Sequence, residues 1–507
     1  MTTSTLPSSA EEGSTRTKDS LLRDIGAALM RRWNWFENFE RRTSAALVVL
    51  ILSYCIWFIS QSGRLYYGYS DPPYDLSVFN QGLWLISHGH GLFVTIMGRS
   101  LFGDHSSFIL LLFAPFYSWF PEPMGLLALQ TLLLAGAAVP IYLLARKHLQ
   151  SARMAVFIAA AYLLNPLIQQ GNLDQFHPES FMVPIIAWAI YFAIEDRMVL
   201  LFVMCELALL VKEDAAVLVI PLALWVMWRR NFKVGARIAG LALVWLALVT
   251  RVIIPDFLGA SSFYSGRLPF GGWSGSFHTL FRTPGAFFTY LLSQGRTFFA
   301  WQMIAPTGAV ALLAPEFALI GAGVILENMV SVDPYQHMII FQYTMVIAPI
   351  MAIATVWAIR RQASQRRRWM LVSVVVLSAL WTCTVWGYAP FSNNKTVQYV
   401  PPASPQLAAI NQMERMIPPS AVVSAYYPLS THLDQRTNIY VWPNPFYASN
   451  WGLENNPGAY LPVSRRVEYL FLQDVLSDPH EIGVFNSIKK KFTIIKSSNG
   501  FTLYKRK

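Results

Sequence analysis

"GLLALQTLLLAGAAVPIYLLARKHL", residues 125–149, stays apolar from Gly125 to Ala145 and then ends in Arg146, Lys147 and His148. A transmembrane helix needs roughly 20 apolar residues. This stretch therefore reads as a membrane span with a basic inner end. Similar runs recur from Ser44 to Tyr388. Of 507 residues, 54% are hydrophobic and 13% charged, whereas soluble domains carry about 25% charge. Mean hydropathy is +0.39. The composition excludes an ordinary soluble globule and predicts a polytopic α-helical membrane protein. The net charge of +11 then reflects topology before nucleic-acid binding, and no nucleic acid is expected as a partner. Cys55, Cys205 and Cys383 all sit in apolar runs, so neither a disulfide framework nor a metal spacing is expected.

The expected spans are roughly 44–62, 124–145, 154–170, 180–196, 198–212, 215–229, 236–255, 297–313, 314–330, 337–360 and 369–387, about eleven transmembrane helices. Arg146, Lys147 and Arg153 share one short loop, Arg197 marks a second, and Arg229, Arg230, Lys233 and Arg237 a third. "RRQASQRRR" (360–368) marks a fourth. All four face the cytoplasm if the first span runs outward and eleven cross in total. "SSFILLLFAPFYSWF" (106–120) is short and interrupted by Pro115, so it is read as dipping into the outer leaflet. This plan gives a cytosolic tail 1–43 and a transmembrane domain 44–387 with a large first outer loop, 63–123. Shorter outer segments lie at 171–180 and 256–296. Residues 388–507 form an extracytoplasmic domain. There, Ser404 and Pro405 start a helix through 418. "AVVSAYY" (421–427), "NIYVW" (438–442), "EYLFLQ" (468–473), "FTIIK" (492–496) and "FTLYK" (501–505) read as strands of a small α/β unit.

Ionisable residues at membrane depth are costly and mark function. In "SDPPYDLSVFNQGLW" Asp75 is read either as the cap of a following helix or as a general base at a cavity mouth, with Asp71 nearby. Asp104 and His105 in "FGDHSSF" are read as a cap, or as partners of Asp75 that orient an acceptor, act as base or hold a divalent cation. "NLDQFHPES" crowds Asp174, His177 and Glu179 into one turn, and "LVKEDAAV" breaks an apolar run with Lys212, Glu213 and Asp214. The ordinary alternatives are a solvated turn and a snorkelling lysine. The functional one makes Lys212 a phosphate clamp. Arg267 and Arg282 stand among aromatics in the 256–296 loop, as suits either a phosphorylated lipid or interfacial anchoring. "ENMVSVDPYQH" sets Glu327, Asn328, Asp333, Tyr335, Gln336 and His337 at the same level. Under one topology these groups all reach the outer face, which predicts a single outward cavity.

"YDLSVFNQGLWLISHGHG", "LFGDHSSFILLLFAPFY", "FHPESFMVPIIAWA" and "LLVKEDAAV" resemble, in order, signature blocks of an uncharacterised bacterial and archaeal family of predicted polytopic membrane proteins. "IPPSAVVSAYYPLSTHLDQRTNIYVWPNPF" resembles that family's outer domain. More distantly, the plan is similar to the C-type (GT-C) glycosyltransferases, integral membrane enzymes that take sugar from a polyprenyl-phosphate donor on the outer face. That resemblance implies a protein of the cell inner (plasma) membrane, a lipid-linked sugar donor and an envelope glycan or protein acceptor. It also implies a catalytic acid in the first loop, with Asp75 matching best and Asp104 next. No acidic "DE" or "DxD" pair stands in this loop, a departure that leaves base and metal open, with Asp75, Asp104 and His105 the candidate ligands. A transporter or flippase is the alternative. It usually shows duplicated halves, and none is visible here.

Overall fold

The computed structural model describes residues 43–70, 73–119, 122–259, 266–450 and 457–507. The tail 1–42, residues 71–72 with Asp71, and 120–121, 260–265 and 451–456 lie outside them. The described chain is mostly helical, with a small C-terminal sheet. Five helices are long and apolar enough to cross a membrane: Thr43–Tyr67, Pro123–Leu149, Phe232–Leu258, Gln342–Arg360 and Gln365–Trp386. The pair Ala152–Leu163 and Pro166–Leu173, bent by 41°, makes a sixth if taken as one span. The bend falls where Pro166 opens the second helix and Asn165 caps it.

Eleven spans were expected, and that count is not reached by length and composition among the described residues. Glu179–Ile194, Met198–Leu209 and Ala216–Arg229 are apolar but short. The two spans expected over 297–330 are instead a chain of short pieces: Arg296–Ile304, Ala305–Thr307, Val310–Leu313, Pro315–Ala318 and Ala322–Val330. Pro306 and Pro315 remove backbone donors. Gly308, at φ 59°, has no room for a Cβ, which would meet Ser378 Oγ at 2.6 Å. Within 106–120 the chain forms only Ile109–Phe113 and a 3-10 turn, Ala114–Trp119, too short to cross, as expected.

The basic loops gather at one end of the bundle. Lys147 pairs with Glu195, and His148 Nε2 lies 3.3 Å from the same carboxylate. Arg230 donates to the Ile194 carbonyl at 2.7 Å. The His148 ring packs on Trp357, and Arg361 pairs with Glu316. Helix Glu179–Ile194 runs from this end to the other, about 24 Å at 1.5 Å per residue. Glu179 therefore stands at the far end, as does Lys212 after Met198–Leu209.

At that far end sits the C-terminal domain. Hairpin strands β1 (Phe93–Val94) and β2 (Arg99–Ser100) lie in the first loop. The domain's sheet holds β3 (Val423–Ala425), β4 (Ile439–Val441), β5 (Tyr469–Gln473), β6 (Phe492–Ser498) and β7 (Phe501–Arg506), in the order β4-β3-β5-β7-β6. All five expected strands are present. β3 pairs parallel with β4 and β5, and β7 antiparallel with β5 and β6. Ser404 caps Pro405–Glu414 by accepting from Leu407 N. The domain holds the first-loop helix Pro73–Ser87 through buried polar contacts. Asn80 donates to Asp434 Oδ1 at 2.6 Å, and Gln81 to the Arg436 carbonyl at 3.0 Å. Thr95 Oγ1 bridges Ile439 N and O at 3.1 and 2.7 Å.

Candidate active site

The site is built around the turn between Pro166–Leu173 and Glu179–Ile194. Gln130, fully buried in helix Pro123–Leu149, grips this turn from within. Its Nε2 donates to the carbonyls of Gly171, Asn172 and Gln175 at 3.2, 3.2 and 2.5 Å. Its Oε1 accepts from His177 N at 2.9 Å. Between these anchors Gln175 adopts φ 113°, a region that side chains rarely enter and that costs about 1–3 kcal/mol.

The strained turn aims the Gln175 side chain at the first-loop helix. Its Oε1 accepts from Asp75 N at 2.8 Å and from Leu76 N at 3.1 Å. The reading of Asp75 as a cap is corrected here. The helix begins at Pro73, so Asp75 falls inside the first turn and Gln175 does the capping. The Asp75 carboxylate is thereby released. Its Oδ2 lies 3.2 Å from His177 Nε2, with Asp75 40% exposed and His177 3% exposed. Burial alone would lower the His177 pKa. The hydrogen bond and charge of Asp75, helped by Asp174 and Glu179, raise it to about 9. The charged form of His177, which donates to Asp75, is thereby favoured, and its buried Nδ1 has no partner among the described residues. Asp174 faces elsewhere: its Oδ2 accepts from Gln342 N at 3.2 Å, and burial pushes its carboxyl up to about 7.

A second histidine–carboxylate pair lies beside the first. Glu213 Oε1 is 2.7 Å from His105 Nδ1, and Oε2 accepts from Ser106 N at 3.1 Å. Burial opposes the Glu213 charge, but His105 and Lys212 hold its carboxyl down to about 2. Lys212 Nζ sits 2.9 Å from Glu179 Oε1 and 3.3 Å from Asp214 Oδ2, with the Tyr343 ring 5.6 Å away. The expected phosphate clamp is therefore a buried lysine whose charge is already divided between two carboxylates. Glu179, Lys212, Asp214, Glu327, Gln336 and Tyr343 line a narrow open cleft.

The structure thus brings together Asp75, His105, Asp174, His177, Glu179, Lys212, Glu213 and Asp214, from four separated segments. Asp104 turns aside to an ion pair with Arg99 at 2.7 Å, its other oxygen 4.0 Å from His105. Arg267 lies 3.6 Å from Asp333. Arg282 is exposed at the end of helix Trp273–Arg282 and joins none of these contacts. Asp75, Asp104 and His105 are each taken by a different partner. Among the described residues no group of three or more His, Cys, Asp or Glu side chains is disposed to hold a metal ion. The residues do not fit a resident cation at Asp75, Asp104 and His105.

Gln130, Gln175 and Arg99 were not singled out in the sequence. Gln130 had a signal, an amide in the middle of an apolar span. Gln175 had none, because a glutamine in a polar turn is ordinary.

No curated protein matches the chain. Among solved structures, ArnT from Cupriavidus metallidurans bound to undecaprenyl phosphate is similar in fold, with a TM-score of 0.54 and 13% identity, over 90% of this chain and 97% of that one. The same protein in the apo state gives a TM-score of 0.49 and 13% identity, over 89% and 98%. The likeness to the first bears out the expected fold class, a GT-C-like polytopic helical protein. The family model described as "Predicted membrane protein (DUF2079)" matches residues 71–499, the family resemblance expected from the signature blocks, and the chain belongs to that family.

Proposed function

We propose that the protein is a membrane glycosyltransferase that moves a sugar from a polyprenyl-phosphate donor to an envelope acceptor on the outer face of the inner membrane. The observation that carries this reading is the Asp75–His177 pair, a carboxylate relieved of capping duty, 40% exposed and held by a buried imidazole. A fold shared with a structure solved with undecaprenyl phosphate supports the lipid half of the reading.

In this mechanism Asp75 accepts the proton of an acceptor hydroxyl as the oxygen attacks the anomeric carbon. The bond from that carbon to the phosphate oxygen breaks, with inversion, and polyprenyl phosphate departs carrying the electron pair. His177 keeps the carboxylate aimed. His105 and Glu213 fix the first loop against the 210–214 turn, and Asp174 fastens the site turn to Gln342. Glu179, Lys212 and Asp214 wall the cleft where the sugar lies. The charge of the departing phosphate falls to Arg267, or to Lys212 in exchange for one of its two carboxylates. Arg282 meets membrane lipid rather than the sugar.

The test uses wild-type protein in nanodiscs with a panel of polyprenyl-phosphate sugars and a pool of envelope acceptors. Release of polyprenyl phosphate that requires an acceptor supports the transferase. Failure with every donor, together with lipid movement across proteoliposomes, would replace it with a transporter or flippase.

A further inference from the structure

Segment 266–296 holds Arg267, His278, Arg282 and Arg296 and no acidic residue. It follows the lipid-length helix Phe232–Leu258, which exposes Leu243, Val244 and Val252. Two short helices occupy it, Trp273–Arg282 with 10 residues and Pro284–Leu291 with 8. Neither approaches the roughly 20 residues needed to cross. Yet Trp273, Phe277 and Phe281, four apart and so on one face, are 66%, 53% and 76% exposed, and Phe288 and Leu292 continue the surface. His278 and Arg282, one residue on from Phe277 and Phe281 and so flanking that stripe, are exposed too.

The inner side is fastened to the protein. Ser276 is buried and donates to the Pro269 carbonyl at 2.8 Å. Tyr290 donates to the carbonyls of Val330 and Ser331, each at 3.0 Å. Arg296, only 1% exposed, donates to Met329 O at 2.7 Å, Ser331 O at 3.0 Å and Tyr290 Oη at 2.8 Å. These bonds clasp the end of helix Ala322–Val330, which carries Glu327 and Asn328 of the cleft.

We propose that this helical pair is a paddle lying flat in an anionic phospholipid surface at the cleft end of the molecule. Its aromatic stripe sits at the acyl boundary, and Arg282 and His278 meet the lipid phosphates. The stripe is exposed aromatic surface with nothing packed on it among the described residues, and the charge sign of the segment, cationic with no acidic residue, selects the lipid. Because Tyr290 and Arg296 tie the paddle to residues 329–331, its seating in the lipid sets the position of one cleft wall. The inference is independent of the transferase reading.

The three native cysteines are buried, so a single probe can be read. Full-length Phe281→Cys and, separately, Phe277→Cys are labelled with an environment-sensitive fluorophore in nanodiscs of phosphatidylglycerol or of phosphatidylcholine. The expected result is quenching by shallow spin-labelled lipid at both positions, stronger in phosphatidylglycerol. Adding Arg282→Glu should cut that quenching roughly twofold in phosphatidylglycerol only. Quenching at both positions by aqueous iodide instead of by lipid would overturn the proposal. Equal lipid quenching in both compositions, unmoved by Arg282→Glu, would overturn the anionic partner.

Discussion

Replacing Gln175 separates two properties that usually fall together. Its Oε1 holds the amides of Asp75 and Leu76 at 2.8 and 3.1 Å, and losing two such bonds costs about 2 kcal/mol. Its φ of 113° costs about 1–3 kcal/mol for a residue with a side chain, and glycine is free of that strain. Gln175→Gly should therefore match wild type in stability to about 1 kcal/mol, because the lost cap and the relieved strain offset each other. Gln175→Ala loses the cap and keeps the strain, and should be about 2 kcal/mol less stable. In both variants the freed amides compete with His177 for the Asp75 carboxylate, which stands in the same helical turn. Turnover should drop by about 100-fold or more in each, the scale of a mispositioned general base. Thermal unfolding in nanodiscs gives the first quantity and polyprenyl-phosphate release the second. A fully active Gln175→Gly, or one as unstable as Gln175→Ala, would refute the reasoning.

Gln130→Ala orphans three buried carbonyls and the His177 amide. It should cost about 3 kcal/mol or more, read by denaturant unfolding. The His177 pKa is raised, so the Asp75 pair contributes its stability fully below about pH 6.5 and loses it as pH climbs through about 9. The unfolding midpoint of wild type should fall across that window, and that of His177→Gln should lack this component. Lys212→Met leaves Glu179 and Asp214 without their cation and should cost about 3 kcal/mol. Adding Glu179→Gln should return part of that loss in a double-mutant cycle.

Much of the fold was legible because hydropathy and charge act along the chain. The basic loops marked helix ends that meet at one end of the bundle. The short alternating runs after residue 420 became five strands. What failed was continuity: Pro306, Gly308 and Pro315 break the 297–330 stretch, where composition alone suggested two spans. At the site, charge in an apolar context pointed to Asp75, His177, Lys212 and Glu213. Their pairings were hidden, since His105 meets Glu213 and Asp75 meets His177 across about a hundred residues of sequence. Asp104 stood next to Asp75 as a candidate, and Arg99, five residues away, engages it. The decisive amide, Gln175, acts through a backbone angle that its residue type argues against, so no pattern announces it.

The most direct test of the account compares wild type with Asp75→Asn in the same nanodiscs. Asparagine keeps the size of the side chain and a hydrogen-bond acceptor toward His177, but it cannot take a proton. Polyprenyl-phosphate release by wild type, lost in Asp75→Asn while the variant still folds and still binds the lipid donor, is the predicted result. Equal release by both proteins would contradict the account and move the base to another carboxylate.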